Sequence, residues 1–325
     1  LLFDENSVMS GCSSYLSLTH NVAGGNGFTQ HLFFSDTSPQ SAALHSTPSP
    51  RRAMAAPGRY KSSPGFAAPF TIQYAHGSFL SPSAAEGPMI KLITFDLDNT
   101  LWDINPVIVA AEKAMRAWVS EHIPEAVAHL EMDRLQDVYK RVREHHPEVK
   151  HHPTNFRKKL LYQVFTEASL SHDRALTMSE QAFQVFYEGR NTITLFHQAE
   201  DILDTLAKRY PLVALTNGNA NLEMIGIDRY FQAHFSAETE GQPKPHEAMF
   251  RRALEHCGVT AQQAIHVGDH PKEDVEAARA VGYHTVWFNQ DGGQDPDLCH
   301  PTREIRQLEE LLPAVEAIAA DARSS

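Results

Sequence analysis

The stretch KLITFDLDNTLWD, which begins at Lys91, limits more than any other what this chain can fold into. Its first half is a short apolar run of the kind that a buried parallel strand needs. The run ends in two carboxylates, Asp96 and Asp98, which gain nothing from burial in a core. Because sites in open α/β sheets lie beyond the carboxyl ends of the strands, the stretch predicts a strand followed by a functional loop. A surface turn capped by an aspartate is the alternative interpretation.

The two carboxylates suit a definite chemistry. Asp96 can act as a nucleophile, and Asp98, two residues further on, as a proton donor and then acceptor. Because neighbouring carboxylates repel each other, a cation beside them is expected, and Mg²⁺ is the usual partner of such hard oxygen ligands.

Composition excludes two classes of partner. The formal net charge of the 325-residue chain is −12, which argues against nucleic acid and against an anionic membrane surface. No run of 18 apolar residues occurs, so no transmembrane segment is predicted. The length leaves room for one large domain or two ordinary ones, with an ample core.

The cysteines indicate a reducing compartment. Cys12, Cys257 and Cys299 are odd in number and far apart, so they form neither a disulfide framework nor a CxxC zinc spacing. This pattern is typical of a reduced protein and predicts a cytoplasmic location.

Residues 1–88 differ from the rest of the chain. They are rich in Ser, Pro and Gly, and no hydrophobic period persists, which predicts disorder rather than a domain. Because the chain begins with Leu1 and Met89 directly precedes the first strand, we expect residues 1–88 to be a leader or a non-native extension. A targeting peptide is the alternative, since the segment is Ser-rich and poor in acids.

The order of elements after Met89 predicts an α/β fold with an inserted helical part. Residues 104–195 carry apolar stripes at helical spacing and no strand pattern, which predicts four helices. Strands and helices then alternate, with a last helix within Glu304 to Ala320, and such β-α units imply a doubly wound parallel sheet. We therefore divide the chain into an α/β core, residues 89–103 and 196–325, and a helical cap, residues 104–195.

Two further strand ends of the predicted sheet are polar. Thr216 and Asn217 follow one strand, where a hydroxyl and the backbone N–H groups that open a helix can hold phosphate oxygens. A simple capping turn is the alternative. Lys244 stands between two prolines before a helix, where a fixed ammonium could pair with Asp96 and with a phosphate. Its alternative is an exposed loop lysine.

A third strand end carries a second acidic pair. Asp269 is placed as a direct Mg²⁺ ligand, and Asp274, about one turn into the next helix, as an outer partner that sets the charge. Asp274 could equally be an acid that the helix dipole favours at a helix N-terminus.

Taken in order, the DxDxT run, the Thr-Asn turn, the Lys-Pro loop and the GDxxxxD run resemble the four motifs of the haloacid dehalogenase-like hydrolase superfamily. The resemblance extends over residues 89–288. It implies a Rossmann-like doubly wound core with an inserted cap of the C1 type. The runs DLDNTLWD, NPVI and LTNGNA resemble a narrower group, the bacterial phosphatases that act on flavin mononucleotide (FMN) and on 5-amino-6-(5-phospho-D-ribitylamino)uracil.

The resemblance implies a role for each residue of these motifs. Asp96 would attack phosphorus and form an aspartyl-phosphate, while Asp98 would protonate the leaving alcohol and then activate water. Thr216 and Asn217 would bind the transferring group, and Lys244 would anchor it.

The resemblance also implies the metal ligands. Asp96, the backbone carbonyl of Asp98, and Asp269 would hold Mg²⁺, with support from Asp274. The dehalogenase branch of the superfamily lacks the second acid of the DxD run, so the presence of Asp98 favours phosphoryl chemistry over halide displacement.

The sequence thus predicts a Mg²⁺-dependent phosphomonoesterase for a small phosphorylated metabolite, with riboflavin biosynthesis as its expected setting. Asn155 and Arg157, at the start of a cap helix, are candidate substrate contacts, although a solvated helix start explains them equally. A sugar phosphomutase of the same fold and a non-catalytic binding protein are the alternative functions. We expect a monomer or a homodimer.

Overall fold

A computed structural model describes residues 89–293 and 299–324, so the predictions for residues 1–88 lie outside the described part of the chain. Six strands form one parallel sheet. They are β1 Leu92–Phe95, β2 Leu212–Thr216, β3 Ala233–Ser236, β4 Ala264–Gly268, β5 His284–Phe288 and β6 Arg303–Ile305.

The strand order is β3-β2-β1-β4-β5-β6, which places β1 in the middle of the sheet. Phe95, the last residue of β1, pairs with Ala214 on one side and with Val267 on the other. All residues of β1, β2 and β4 are buried, as expected of central strands that are covered on both faces. The predicted doubly wound α/β fold is confirmed.

Four α-helices lie within residues 104–195, as the sequence predicts. They are α1 Ile104–His122, α2 Met132–His145, α3 Pro153–Glu167 and α4 His172–Arg190. The remaining described α-helices are α5 Ala199–Ala207, α6 Leu222–Ile225, α7 Ala237–Glu240, α8 Ala248–Cys257, α9 Ala277–Val281 and α10 Leu311–Ser324. None of the helices in the described ranges has the length and apolar character that crossing a bilayer requires.

The apolar stripes of the inserted helices form a core that continues into the sheet. Ile108, Ala111 and Met115 of α1 are buried, as the stripe predicts, and they belong to the same apolar cluster as Phe95 of β1. His122, in the last turn of α1, is exposed, and its ring stacks on Trp118 at the surface.

The C-terminal region differs from its prediction. The residues Arg303–Ile305 form β6 instead of the start of a helix, and α10 begins only at Leu311. β6 pairs in parallel with β5, and its residue Ile305 is buried against the core. A strand of three residues is too short to show a period in the sequence, so only the pairing with β5 identifies it.

Gly189 provides a test of how closely the inserted helices pack. It lies near the end of α4, and a Cβ atom at this position would lie 2.9 Å from the Cα atom of Ala111 in α1.

In an isolated helix, alanine is favoured over glycine by about 1 kcal/mol. Here a backbone atom would have to move, which costs typically 1–3 kcal/mol. Gly189→Ala should therefore lower the free energy of unfolding in urea. Gln181→Ala, at an exposed position of the same helix, is the control and should change it little; a stabilised Gly189→Ala would contradict the close approach.

Candidate active site

One small cavity at the carboxyl ends of β1, β2 and β4 collects the residues predicted from the motifs. The structure brings together all seven motif residues: Asp96, Asp98, Thr216, Asn217, Lys244, Asp269 and Asp274. Gly218, His270 and Glu273 complete the lining.

These residues lie close together because the carboxyl ends of β1, β2 and β4 are at the same edge of the sheet. The N–H of Asp96 still donates to the carbonyl of Val267 in β4, at 2.8 Å, so Asp96 continues the ladder of β1 by one residue. The chain then turns, with Asn99 in the left-handed region at φ 59°, and the N–H of Thr100 donates back to the carbonyl of Leu97. This turn keeps Asp98 at the cavity instead of letting the strand run on.

Lys244 lies between two carboxylates inside the cavity wall. Its Nζ atom is 2.5 Å from Asp96 Oδ1 and 2.5 Å from Asp274 Oδ1, and the residue is 1% exposed. Asp274 also accepts from the backbone N–H of His270 at 3.0 Å and lies 3.1 Å from Nε2 of His266. Lys244 is therefore a buried counter-ion, as its predicted pairing with Asp96 requires.

The charges of the cavity do not balance. Burial raises the pKa of Asp96 to about 7, opposed by the ammonium of Lys244 and assisted by the negative charge of Asp274. Desolvation, together with the charges of Asp96 and Asp274, also raises the pKa of Asp269 well above its usual range. Burial acts in the same direction on Asp274, but Lys244 and His266 outweigh it and hold the pKa of Asp274 below its usual value. Asp96 and Asp269 are thus the carboxyl groups of the cavity that most favour taking up a proton or a cation.

This arrangement suits a divalent cation. Oxygen atoms of Asp96, Asp269 and Asp274 lie within 4.8 Å of one another, and carboxylate oxygens are the ligands that Mg²⁺ prefers. Thr100 Oγ1 is 3.3 Å from an oxygen of Asp96 and 3.3 Å from an oxygen of Asp269. The cavity has a volume of about 20 Å³, which is about the space of one water molecule. Because Lys244 already neutralises Asp274, Asp96 and Asp269 are the better ligands.

Gly268, the last residue of β4, allows Asp274 to approach. A Cβ atom on Gly268 would lie 2.3 Å from the carboxyl carbon of Asp274, so any side chain there would displace that carboxylate. The glycine before Asp269 in the GDxxxxD run is therefore needed for the pairing of Asp274 with Lys244. Asp274 itself lies in a π-helical turn, Pro271–Glu276, rather than in the α-helix that the sequence predicts there.

Asn217 fastens the lysine loop to the end of β2. Its Oδ1 atom accepts from the N–H of Lys244 at 2.7 Å, and its Nδ2 atom donates to the carbonyl of Lys244 at 3.0 Å and to Glu273 Oε2 at 2.9 Å. Both N–H bonds of the side-chain amide thus have protein partners. Next to it, Thr216 Oγ1 accepts from the N–H of Gly218 at 3.0 Å and closes the turn.

Two residues other than the seven motif residues of the cavity bind the carboxyl group of Asp98. Arg190 Nη2 is 2.7 Å from Asp98 Oδ2, and Trp102 Nε1 donates to Asp98 Oδ1 at 2.9 Å. Arg190 is the last residue of α4 and is fully buried. Arg190 is not among the residues predicted from the motifs, although a signal was present: it continues the stripe of Phe183 and Phe186 at i, i+3, i+7 spacing, where a charge has no hydrophobic reason to be.

The two cap residues predicted from the sequence lie outside the cavity lining. Asn155 is exposed, and the guanidinium of Arg157 pairs with Glu112 and stacks on the ring of Phe186 at 3.6 Å from its centroid. In this structure Arg157 is therefore part of the packing among the inserted helices. Its contact with a substrate stays a prediction.

Comparisons with known proteins agree with this geometry. The family model described as haloacid dehalogenase-like hydrolase matches residues 90–282. The 5-amino-6-(5-phospho-D-ribitylamino)uracil phosphatase YigB of Escherichia coli is 35% identical over 204 residues, which are 63% of this chain and 85% of that protein. The phosphoserine phosphatase of Thermus thermophilus is 28% identical over 49% of this chain and 65% of its own length.

The fold is also found in solved structures. The crystal structure of a 2-haloacid dehalogenase from Pseudomonas syringae matches with a TM-score of 0.68 and 35% sequence identity. The match covers 70% of this chain and 99% of that one.

The buried lysine predicts how stability depends on pH. Lys244→Met keeps most of the volume but leaves Asp96 and Asp274 buried without a counter-charge, and breaking a buried pair costs about 3–5 kcal/mol. In the wild type, the lowered pKa of Asp274 contributes stability that is present above pH 3.8 and is lost as the pH falls through its folded pKa. In Lys244→Met the stabilising contribution of Asp274 disappears, and the carboxyl groups of Asp96 and Asp274 both resist ionisation. The decrease in the free energy of unfolding relative to the wild type should therefore be larger at pH 8 than at pH 5.

This prediction is checked by urea unfolding at both pH values in EDTA. Lys208→Met removes the exposed pair with Asp204 and is the control, with little expected change in the free energy of unfolding. An equal loss at pH 5 and pH 8 for Lys244→Met would contradict the buried-charge account.

Proposed function

The chain belongs to the haloacid dehalogenase-like hydrolase family, and on that premise we propose that it is a Mg²⁺-dependent phosphomonoesterase for a small phosphorylated metabolite. One observation carries the proposal. A carboxylate in the position of a nucleophile, Asp96, shares a single cavity with a buried ammonium, a second acid and an uncompensated carboxylate. These are the groups that phosphoryl transfer to an aspartate requires.

The proposed reaction begins with attack of Asp96 on phosphorus. An oxygen of Asp96 forms the new O–P bond, and the electron pair of the breaking P–O bond goes to the leaving oxygen. Lys244, 2.5 Å from Asp96, holds this carboxylate in place and offers positive charge to the transferring group. A Mg²⁺ ion held by Asp96 and Asp269 would supply further positive charge beside the phosphoryl group.

Asp98 completes the reaction. Its carboxyl group protonates the leaving oxygen, and the resulting carboxylate then takes a proton from the water that hydrolyses the aspartyl-phosphate. Thr216 lines the same cavity, and its hydroxyl group is proposed to bind a phosphate oxygen.

We propose FMN or 5-amino-6-(5-phospho-D-ribitylamino)uracil as the substrate. The support is the name of the Escherichia coli relative, together with the runs DLDNTLWD and LTNGNA of this chain. No further partner is proposed, and the cytoplasmic location and the monomeric or homodimeric state stay predictions.

Halide displacement is a second candidate because the matched Pseudomonas syringae structure is named a 2-haloacid dehalogenase. A halide leaves as a stable anion and needs no proton, whereas an alkoxide leaving group does. Asp98 lines the cavity and provides such a proton donor, which supports the phosphatase proposal over dehalogenation.

The first experiment measures phosphate release from FMN, the aminopyrimidine ribityl phosphate, sugar phosphates and pyridoxal phosphate. Turnover by the wild type should require Mg²⁺, stop in EDTA and be abolished in Asp96→Asn, because the amide is a far weaker nucleophile. Asp204→Asn, which alters an exposed carboxylate, is the matched control and should remain fully active.

The other outcomes identify the alternatives. Chloride release from a 2-haloacid without phosphate release would indicate a dehalogenase. Isomerisation of a bisphosphorylated sugar would indicate a mutase, and binding of a phosphate ester without turnover would indicate a binding protein. Each would replace the phosphatase proposal.

Metal binding can be measured without turnover. Calorimetric titration with Mg²⁺ should show a site in the wild type, and Asp269→Asn should weaken it by at least about 10-fold, since one ionised ligand is lost. Glu276→Gln changes an exposed acid close in sequence and serves as the control. Equal Mg²⁺ affinity of wild type and Asp269→Asn would exclude Asp269 as a ligand.

A further inference from the structure

We propose that Arg190 is the positioning residue of the general acid: it holds the carboxyl group of Asp98 in the orientation from which the proton reaches the leaving group. The inference rests on the proposed phosphomonoesterase function and adds to it a residue from the inserted helices. It makes the end of α4, and not only the motif loops, part of what the reaction requires.

Arg190 and Trp102 together fix both oxygens of Asp98. Arg190 Nη2 lies 2.7 Å from Oδ2, and Trp102 Nε1 donates to Oδ1 at 2.9 Å. With one donor on each oxygen, rotation of the carboxyl group about its Cβ–Cγ bond would break a hydrogen bond. Each oxygen still has a lone pair that can carry the proton, so the arrangement orients the group and leaves it able to act as an acid.

Arg190 is itself held from the opposite side. Its Nε atom donates to Asn219 Oδ1 at 3.0 Å, and Asn219 Nδ2 donates to Thr154 Oγ1 at 3.1 Å. The N–H of Thr154, at the start of α3, donates to Glu238 Oε1 at 2.6 Å. A continuous series of hydrogen bonds therefore joins Asp98 to the end of α4 and to the start of α3.

The planar guanidinium is needed for this arrangement. Its Nε and Nη2 atoms point in fixed directions, so one side chain reaches Asp98 and Asn219 at the same time. A lysine ammonium in the same place would be a single point charge without that geometry. Arg190→Lys should therefore keep the positive charge beside Asp98 but fix the orientation of the Asp98 carboxyl group only in part.

Gly218 leaves the space that the pair occupies. A Cβ atom at this position would lie 2.7 Å from Asp98 Oδ2 and 2.9 Å from Arg190 Nη2. It would therefore clash with both partners of the ion pair. The turn after β2 thus has no side chain at the point where Asp98 and Arg190 meet. Gly218→Ala is for that reason a second way to disturb the pair without removing either charge.

Stability alone is a poor explanation for this pair. Replacement of a buried ion pair by apolar residues of similar volume is often neutral or stabilising, because taking both charges out of water is costly. Arg190 is fully buried at the end of an apolar stripe, where a leucine or methionine would complete the core. The orientation of Asp98 gives the arginine a function at this position.

The test compares two leaving groups. Nitrophenolate leaves from 4-nitrophenyl phosphate without a proton, whereas an alkoxide must receive the proton of Asp98 as the P–O bond breaks. Because general acid catalysis contributes typically 10²–10⁴-fold, Arg190→Gln should lower kcat/KM for an alkyl phosphate roughly 100-fold. For 4-nitrophenyl phosphate it should change kcat/KM little. Arg190→Lys should fall between Arg190→Gln and the wild type.

The controls separate positioning from general damage to the fold. Arg141→Gln removes an arginine of the inserted helices whose partner is Glu167 at the surface. It should leave kcat/KM unchanged for both substrates. Arg190→Lys, which keeps the charge, is the second variant if Arg190→Gln fails to fold, and it should show the same selective loss for the alkyl ester to a smaller extent. An equal loss of kcat/KM on both substrates would overturn the inference.

A structural readout distinguishes this inference from the proposed function. If the wild type releases phosphate from neither ester, the phosphatase proposal fails. A crystal structure of Arg190→Gln then decides the inference by itself: a carboxyl group of Asp98 turned away from its wild-type orientation supports positioning by Arg190. An unchanged Asp98 overturns it.

Discussion

The active site depends on one buried ammonium. Lys244 lies 2.5 Å from both Asp96 and Asp274, and without it these buried carboxylates would have to take up protons or move apart. The position of the lysine in turn depends on Asn217, whose side chain bonds the N–H and the carbonyl of Lys244. The close approach of Asp274 depends on the missing side chain of Gly268. A charged centre and two uncharged residues thus hold the ends of β1, β2 and β4 in one arrangement.

In that arrangement the charges of the cavity do not balance. Lys244 compensates Asp274, whereas burial, assisted by the neighbouring carboxylates, raises the pKa values of Asp96 and Asp269. Carboxylate oxygens gathered in this way are ligands of the kind that a divalent cation prefers. The same burial that raises the pKa of Asp96 excludes water from its carboxyl group, so the electrostatic interactions of Asp96 are stronger than they would be at the surface.

The inserted helices are connected to the chemistry through polar contacts at their ends. Arg190 at the end of α4 reaches Asp98, and Thr154 at the start of α3 reaches Asn219. Neither helix contributes a motif residue, yet both help to determine where the second acid lies. Movement of these helices relative to the sheet would therefore change the position of Asp98.

The sequence by itself determined the strand ends, because polar residues directly after apolar runs show where strands stop and where a parallel sheet gathers its functional groups. It therefore predicted the seven motif residues and the helical insertion of residues 104–195. It did not predict β6, which is too short to show a period, nor the π-helical turn that holds Asp274. The tertiary structure alone decided which charges compensate each other and which residue orients Asp98. Arg190 is 92 positions from Asp98 along the chain, and a pairing over that distance arises from packing of the helices on the sheet, which no local pattern of residues records.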